Sequence, residues 1–187
     1  MKKIIILDRD GIINHDSYDY IKSAEEWHAI PGSLEAVAML NRAGFYVIIA
    51  TNQSGVGRGY YTVETLDLIH EKMQSELASF GGHIEDIFFC PHLPTEDCEC
   101  RKPKPGLLLQ IQKKYAVDLA TVFFIGDKLT DVEAARAAGC KPLLVLSPLE
   151  KARTETHPEL LDVPRFQTLE DAVNYVIHAD KITKANL

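Results

Sequence analysis

The sequence of 187 residues lacks an excess of positive charge, a long apolar run and a dense set of cysteines. Its formal net charge of −7 argues against a nucleic-acid partner, because proteins that bind nucleic acid present a basic surface. The apolar runs are far shorter than the roughly 20 residues that a membrane-spanning helix needs. The run Ile4–Leu7, after Lys2 and Lys3, is also too short for a signal peptide. We therefore expect a cytoplasmic protein without a membrane or nucleic-acid partner.

The four cysteines are unevenly spaced, since three of them fall between positions 90 and 100, and this does not suit a disulfide framework. Such usage favours a reducing compartment. Cys90, His92, Cys98 and Cys100 offer three thiols and one imidazole, which complete a tetrahedral shell for a structural Zn²⁺. The alternative is a set of reduced cysteines beside an incidental histidine. Cys140 stands apart, and we expect it to be a small buried apolar residue.

Apolar runs alternate with segments of helical periodicity along the chain. Strands are predicted at 4–7, 45–50, 86–89, 121–125 and 143–146. Helices are predicted between Ser33 and Gly44, after Thr62, from Pro105, from Thr130 and from about Thr168. Such alternation implies parallel strands joined by right-handed crossovers, and the economical arrangement is a doubly wound α/β sheet with the spatial order 3-2-1-4-5. No linker divides the chain, so we expect one domain over 1–187. We also expect a capping box of Thr130 and Glu133, and fraying over Asp180–Leu187.

Three carboxylates come at the ends of two predicted strands. Asp8 and Asp10 follow the first strand, and Asp127 ends the fourth. The strand order reverses between these two strands, and open α/β sheets bind their ligands in the crevice at that point. Three carboxylates in one crevice repel one another unless a cation neutralises them, and hard oxygen ligands in that number suit Mg²⁺. The alternative is a polar turn in which Asp8 and Asp10 only cap the chain.

Hydrogen-bond donors and cations come from the other predicted loops around this crevice. Thr51 and Asn52 end the second strand, and Arg101, Lys102 and Lys128 lie in loops that reach the same edge of the sheet. Hydroxyl, amide and cationic groups that face a Mg²⁺–carboxylate centre suit a phosphoryl group. A carboxylate can itself be the nucleophile and form an aspartyl phosphate. A second carboxylate two residues on could then protonate the leaving oxygen and later activate water.

Four motifs in this order carry a family resemblance. They are Asp8-Arg9-Asp10-Gly11, Thr51-Asn52-Gln53-Ser54-Gly55, Arg101-Lys102-Pro103-Lys104-Pro105-Gly106, and Gly126-Asp127-Lys128 with Asp131. The chain resembles the haloacid-dehalogenase-like phosphatases, and within them the phosphatases of sugar bisphosphates. The resemblance implies a Rossmann-like fold without a large cap domain, in which a zinc-stapled loop beside Arg101 and Lys102 takes the place of the cap.

The resemblance also implies roles for individual residues. Asp8 is expected to be the nucleophile and Asp10 the general acid and base, and Asp8, Asp10 and Asp127 are expected to hold Mg²⁺. Thr51 and Lys102 are expected to stabilise the transferring phosphoryl group. Substrate-binding roles are expected for Asp16, Tyr20, Asn52, Gln53, Ser54, Arg101 and Lys128. Asp131 either orients the metal shell or simply begins its helix.

Three functions remain open at the level of sequence. The leading one is a Mg²⁺-dependent sugar-bisphosphate phosphatase that acts as a monomer on a small-molecule substrate. The second is a histidinol-phosphate phosphatase, which is related in both the motifs and the zinc loop. The third, from a different class, is a catalytically silent binding module stapled by zinc. The intact set of Asp8, Asp10, Lys102 and Asp127 argues against the third function.

Overall fold

The protein folds around one parallel β-sheet. A computed structural model describes residues 2–149 and 157–185. The strands are β1 (Lys3–Leu7), β2 (Phe45–Asn52), β3 (Asp86–Cys90), β4 (Phe123–Gly126), β5 (Lys141–Val145) and β6 (Arg165–Phe166). Their spatial order is β3-β2-β1-β4-β5-β6, and every neighbouring pair is parallel. The predicted order 3-2-1-4-5 is therefore confirmed, and β6 extends it at one edge.

Six α-helices connect or flank the strands within residues 2–149 and 157–185. They are α1 (Ser33–Arg42), α2 (Ser54–Gly57), α3 (Val63–Ser79), α4 (Gly106–Tyr115), α5 (Leu129–Ala138) and α6 (Leu169–Ala185). Short 3₁₀ turns lie at Leu119–Thr121 and Pro158–Leu160. Thr62 caps α3 as its sequence position predicts, because its hydroxyl accepts a hydrogen bond from the Thr65 N–H. None of the helices in the described ranges combines the length and the apolar character needed to cross a bilayer.

Two predictions about helix ends are wrong. The N-cap of α5 is Lys128, and the carboxylate of Asp131 accepts hydrogen bonds from the main-chain N–H groups of Lys128 and Asp127, so Thr130 and Glu133 do not form the capping box. The last helix does not fray after Asp180. It continues to Ala185, and Asp180 forms an ion pair with Lys3 at 2.8 Å. Residues 186 and 187 lie outside the described residues.

Apolar side chains of the central strands alternate between two cores, one on each face of the sheet. Ile5 and Leu7 of β1 pack in the core that contains residues of α1, α3 and α6. Ile4 and Ile6 pack in the opposite core, with residues of α4 and α5. Cys140 belongs to that second core and is buried, as expected. Both faces of the sheet are covered by helices, so neither face is open to a ligand. The site therefore lies at the edge of the sheet where the strands end in polar residues.

Candidate active site

A crevice of about 480 Å³ opens at the carboxyl ends of the central strands. It lies where the strand order reverses between β1 and β4, as predicted. Its walls include the predicted residues Asp8, Asp10, Asp16, Tyr20, Thr51, Asn52, Gln53, Ser54, Arg101, Lys102 and Lys128. Asp127 lies beneath the crevice wall, fully buried. Ser17, Tyr18, Ile21, Tyr61, Thr130 and Asp131 complete the lining.

Three buried carboxylates form a cluster in the floor of the site. Asp8, Asp127 and Asp131 each offer an oxygen atom, and these atoms lie within 4.8 Å of one another. Two glycines make room for the cluster. A Cβ on Gly11 would lie 2.2 Å from Asp127 Oδ2, and a Cβ on Gly126 would lie 2.3 Å from the Cβ of Asp131. Gly11 also has a φ of +84°, which side chains rarely adopt.

The electrostatics of this cluster fit a divalent cation. Burial raises the pKa of Asp8, and Lys102 offsets the effect only in part. Burial raises the pKa of Asp127 still further, with added repulsion from Asp131 and Asp8. Asp127 Oδ2 accepts a hydrogen bond from the Ser147 hydroxyl at 2.7 Å, whereas Asp127 Oδ1 is buried without a hydrogen-bond partner. The Lys128 ammonium lies 4.0 Å from this oxygen, and a buried carboxylate oxygen without a hydrogen bond matches the oxygen ligands that Mg²⁺ prefers.

Lys102 brings a buried ammonium group against the cluster. Its Nζ atom lies 3.0 Å from Asp8 Oδ1, 2.6 Å from Asp131 Oδ1 and 2.9 Å from the Ala50 carbonyl. Burial alone would lower the pKa of Lys102, but the ion pairs with Asp131 and Asp8 outweigh it and raise that pKa. The Asn52 amide fixes the main chain of Lys102, since it accepts from the Lys102 N–H and donates to the Lys102 carbonyl. Lys102 is therefore a fixed, permanently charged group.

Asp10 lies outside the carboxylate cluster because its side chain is engaged elsewhere. Arg9 donates to both of its oxygens, and Asn14 Nδ2 and Gln53 Nε2 each donate a further hydrogen bond at 2.8 Å. Burial would raise the pKa of Asp10, but the Arg9 guanidinium and these hydrogen bonds outweigh it and hold the pKa below its usual range. The Asp10 carboxylate is therefore not among the oxygen atoms that converge in the cluster.

Asp131 begins helix α5, which is one of the two roles predicted for it, and its carboxylate also belongs to the cluster in the floor of the site. It begins α5 by accepting the N–H groups of Asp127 and Lys128, and its other oxygen pairs with Lys102. No role in the site was predicted for Arg9, Asn14, Tyr61 or Ser147. Arg9 lies within the first of the four motifs, and its side chain is buried. Its burial could not be predicted from the pattern of apolar residues, because a buried guanidinium depends on partners that come from distant segments.

The rim of the crevice carries paired charges and aromatic rings. Lys128 Nζ contacts Asp16 Oδ2 at 2.8 Å. Burial would lower the pKa of Lys128, but Asp127, Asp8 and Asp16 outweigh it and raise that pKa. The ring of Tyr20 packs edge-on against Tyr60, with a centroid distance of 5.2 Å. Lys128 and Tyr20 both line the crevice, so the rim offers a cation and an aromatic ring beside the carboxylates.

The predicted zinc ligands come together beside this rim. The Cys100 sulfur lies 3.1 Å from that of Cys90 and 3.6 Å from that of Cys98, and the Cys90 and Cys98 sulfurs are 3.5 Å apart. His92 Nδ1 lies 3.5 Å from the Cys90 sulfur and 3.3 Å from the Cys100 sulfur. A tetrahedral zinc with Zn–S bonds of about 2.3 Å requires sulfur atoms about 3.8 Å apart. The three observed sulfur–sulfur distances, 3.1, 3.5 and 3.6 Å, are all shorter than this, so the donors are grouped as zinc ligands are but more tightly.

Comparison with known proteins places the fold and the site in one class. The chain matches a family model described as HAD-hydrolase-like over residues 99–172. It is also similar to the crystal structure of D,D-heptose 1,7-bisphosphate phosphatase from B. bronchiseptica complexed with magnesium and phosphate. That similarity has a TM-score of 0.91 at 44% sequence identity, covering 95% of this chain and 99% of the other. The fold and site define a phosphoric monoester hydrolase of the haloacid-dehalogenase-like (HAD-like) class.

Relatives with assigned names indicate a narrower group within this class. The protein named D-glycero-beta-D-manno-heptose-1,7-bisphosphate 7-phosphatase in Neisseria meningitidis serogroup A is 43% identical over 188 residues, which is 98% of this chain and all of that protein. Its namesake in Pseudomonas aeruginosa is 51% identical over 144 residues, 77% of this chain and 81% of that protein. The chain belongs to the HAD-like phosphatase family that contains these enzymes.

Proposed function

We propose that this protein removes the 7-phosphate of D-glycero-D-manno-heptose 1,7-bisphosphate. The similarity to a relative named for this reaction, along 98% of the chain, carries the proposal. In this proposal the enzyme works as a monomer of one domain over 1–187 in the cytoplasm. It supplies heptose precursors for lipopolysaccharide or other surface glycans, and it has no nucleic-acid or membrane partner.

The proposed chemistry has two steps that share Asp8 and Asp10. In the first step Asp8 attacks the phosphorus, the bond from phosphorus to the C7 oxygen breaks, and Asp10 protonates that oxygen as heptose 1-phosphate leaves. In the second step water attacks the phosphorus of the aspartyl phosphate and gives a proton to Asp10. The bond from phosphorus to Asp8 then breaks and inorganic phosphate leaves. The pair returns to its starting state.

The two proposed steps need different protonation states of Asp10. Arg9 favours the ionised form in the resting protein, and this is the form that accepts a proton from water in the second step. The first step needs the protonated form. A phosphoryl dianion that enters the crevice adds negative charge near Asp10, and a neighbouring like charge raises a carboxyl pKa. Substrate binding thus favours the acid form when it is needed.

Lys102 and Thr51 are proposed to stabilise the transferring phosphoryl group. The Lys102 ammonium already contacts the Asp8 oxygen at 3.0 Å, so a group that forms a bond to Asp8 lies within its reach. Asp8, Asp127 and the Asp10 carbonyl would hold Mg²⁺. When bound, that ion would offset the charge of the carboxylates and polarise the phosphoryl oxygens.

The rim residues are proposed to bind the sugar and the second phosphate. Asp16, Tyr20, Ser54 and Lys128 line the space above the carboxylates. Asn52 and Gln53 line it too, but their amides are engaged by Lys102 and Asp10, so their contribution to the sugar is the shape of the wall. Arg101 is partly exposed in the crevice, and a planar guanidinium suits the phosphate at C1.

We further propose that Cys90, His92, Cys98 and Cys100 hold a structural Zn²⁺. A closed shell of four protein ligands leaves no open position for substrate, so the ion shapes the loop and takes no part in the reaction. Arg101 follows Cys100 directly, and its Nη1 donates to the His92 carbonyl at 3.3 Å. Zinc would therefore fix the position of the proposed phosphate-binding guanidinium.

A substrate panel tests the proposed function. Phosphate release in the presence of Mg²⁺ is measured with both anomers of the heptose 1,7-bisphosphate, the heptose monophosphates, histidinol phosphate and common hexose phosphates. We expect kcat/KM for one heptose bisphosphate anomer to exceed that for every other class by at least about 100-fold, a difference of roughly 2.7 kcal/mol. A preference for histidinol phosphate would overturn the proposed substrate and leave the family assignment intact.

A further inference from the structure

A buried amide lies behind the acid/base carboxylate. A glutamine amide can donate two hydrogen bonds from nitrogen and accept two at oxygen. Gln53 Nε2 donates to Asp10 Oδ2 at 2.8 Å and to Thr51 Oγ1 at 3.0 Å. Gln53 Oε1 accepts from Tyr61 Oη at 2.8 Å and from Arg9 Nη2 at 3.2 Å. The amide therefore has no hydrogen-bonding capacity left for a substrate.

The orientation of this amide is determined by its neighbours. A guanidinium has donors and no acceptor, so the amide atom that faces Arg9 must be the oxygen. The Tyr61 hydroxyl points at the same atom. Burial raises the pKa of Tyr61 to about 12, so its hydroxyl keeps its proton and donates it. The opposite atom of the Gln53 amide is then the nitrogen, and it must face Asp10 and Thr51.

Arg9 is itself fixed from the other side. Its Nη1 lies 3.2 Å from Nε2 of His70, a residue of α3. Burial, together with the Arg9 charge, lowers the pKa of His70 to about 3, so the imidazole is neutral and can accept the hydrogen bond. Tyr61 stands just before α3, and His70 lies two turns into it. This helix thus supports the Arg9 and Gln53 side chains together.

We propose that Gln53, oriented by Tyr61, is the positioning residue that fixes Asp10 and Thr51 relative to each other. One Nε2 hydrogen holds the oxygen of Asp10, and the other occupies the oxygen of Thr51. The Thr51 hydroxyl hydrogen is therefore directed away from Gln53, where it can reach the phosphoryl group. The inference rests on the proposed function, and it replaces the substrate-binding role that the resemblance implied for Gln53.

The dependence on the leaving group tests this role. A sugar phosphate releases an alkoxide that must be protonated by Asp10, whereas 4-nitrophenyl phosphate releases a stable anion that needs no proton. The ratio kcat/KM reports only the steps up to departure of the leaving group, so the later attack of water does not enter. Loss of the correct placement of Asp10 should reduce kcat/KM for the sugar phosphate and should spare the aryl phosphate.

Two substitutions approach the amide from opposite sides. Tyr61→Phe removes the hydroxyl that orients Gln53, and Gln53→Glu keeps the acceptor oxygen but removes both donors. We expect kcat/KM for the heptose bisphosphate to fall about 30- to 100-fold in each variant. This is at or below the lower end of the roughly 10²- to 10⁴-fold that general acid catalysis contributes, because Asp10 is misplaced and not removed. We expect a loss below about 5-fold for 4-nitrophenyl phosphate, through Thr51 alone. Tyr175→Phe is the matched control, because this exposed tyrosine lies on helix α6 and does not line the crevice, and the variant should match the wild type.

The Asp10→Asn variant distinguishes a failure of the role proposed for Gln53 from a failure of the function proposed for Asp10. It should show the same selective loss on the sugar phosphate, and thermal melts should show that all four variants are folded. If Asp10→Asn is selective and both Tyr61→Phe and Gln53→Glu lose equal factors on the two substrates, or lose nothing, the role of Gln53 is overturned while Asp10 keeps its role. If Asp10→Asn itself affects both substrates alike, the proposed function of Asp10 fails.

Discussion

Lys102→Met removes a buried charge from the centre of the site while it keeps most of the side-chain volume. In the folded protein the ammonium contacts three oxygens at 2.6–3.0 Å. If it also contacts the phosphoryl group as that group moves toward Asp8, its stabilising effect is larger in the transition state than in the bound substrate. We therefore expect kcat to fall about 10²- to 10³-fold, which corresponds to about 2.7–4 kcal/mol. KM should change by less than about 3-fold.

The same substitution should destabilise the metal-free protein. Asp8 and Asp131 are almost fully buried, and Lys102 is their shared cation. Breaking a buried ion pair by removal of one partner costs about 3–5 kcal/mol. Urea unfolding without Mg²⁺ measures this loss. Because the cluster then carries more uncompensated charge, Mg²⁺ should restore a larger part of the stability in Lys102→Met than in the wild type.

Two neighbours serve as comparisons for Lys102→Met. Lys104→Met removes a lysine two positions away that pairs with Asp97 and Glu99, which are 90% and 88% exposed, and it should leave kcat and stability unchanged. Arg101→Met should raise KM for the bisphosphate about 10- to 100-fold, as loss of a charge-assisted contact of about 1.5–3 kcal/mol predicts, and should barely affect the heptose 7-phosphate. If Lys102→Met changes KM alone, or keeps kcat within about 3-fold of the wild type, its assigned role is wrong.

Two further predictions concern the metal sites. Protein purified without chelators should contain one zinc per chain. Cys98→Ser should lose that zinc and show a higher KM for the bisphosphate. Wild-type protein without zinc would contradict the zinc site. In the folded protein the pKa values of Asp8 and Asp127 lie above 3.8, the value for ordinary aspartate. These two residues therefore contribute to stability at low pH, and their contribution is lost as the pH rises through the folded-state pKa values. The melting temperature of the metal-free protein should therefore rise as pH falls from about 8 toward about 5, and Mg²⁺ should raise it most at the higher pH. Asp127→Asn should weaken this dependence of the melting temperature on pH. If the slope is unchanged in that variant, Asp127 is not its cause.

The arrangement of the fold follows from features that are visible in the sequence. Each long strand is an apolar run that ends abruptly in polar residues, and alternation with helices leaves few possible orders. The strand β6 was missed because Arg165–Phe166 is too short to show a period. The helix α2 was missed because Ser54–Gly57 contains two glycines, which favour loops. The start of α5 was misjudged because the carboxylate that accepts the first main-chain N–H groups belongs to Asp131, which also lies in the site, whereas Gly139 ends the helix as predicted.

The residues of the site were predictable, but several of their contacts were not. Asp8, Thr51 and Asp127 end parallel strands, and parallel strand ends meet at one edge of the sheet. The roles of Asn52 and Gln53 depend on which groups face their amides. Those groups come from segments that are remote in the chain, such as Lys102 for Asn52, so no local pattern reveals them.

Asp8 should become phosphorylated during turnover. The direct measurement is rapid mixing of the Mg²⁺-loaded protein with substrate, acid quench within one turnover, borohydride reduction and peptide mass spectrometry. A phosphorylated aspartate is reduced to homoserine, so we expect homoserine at position 8 and at no other aspartate position. Asp8→Asn should give neither the mark nor turnover. Phosphate release at the wild-type rate by Asp8→Asn, or a mark on a different aspartate, would contradict the account.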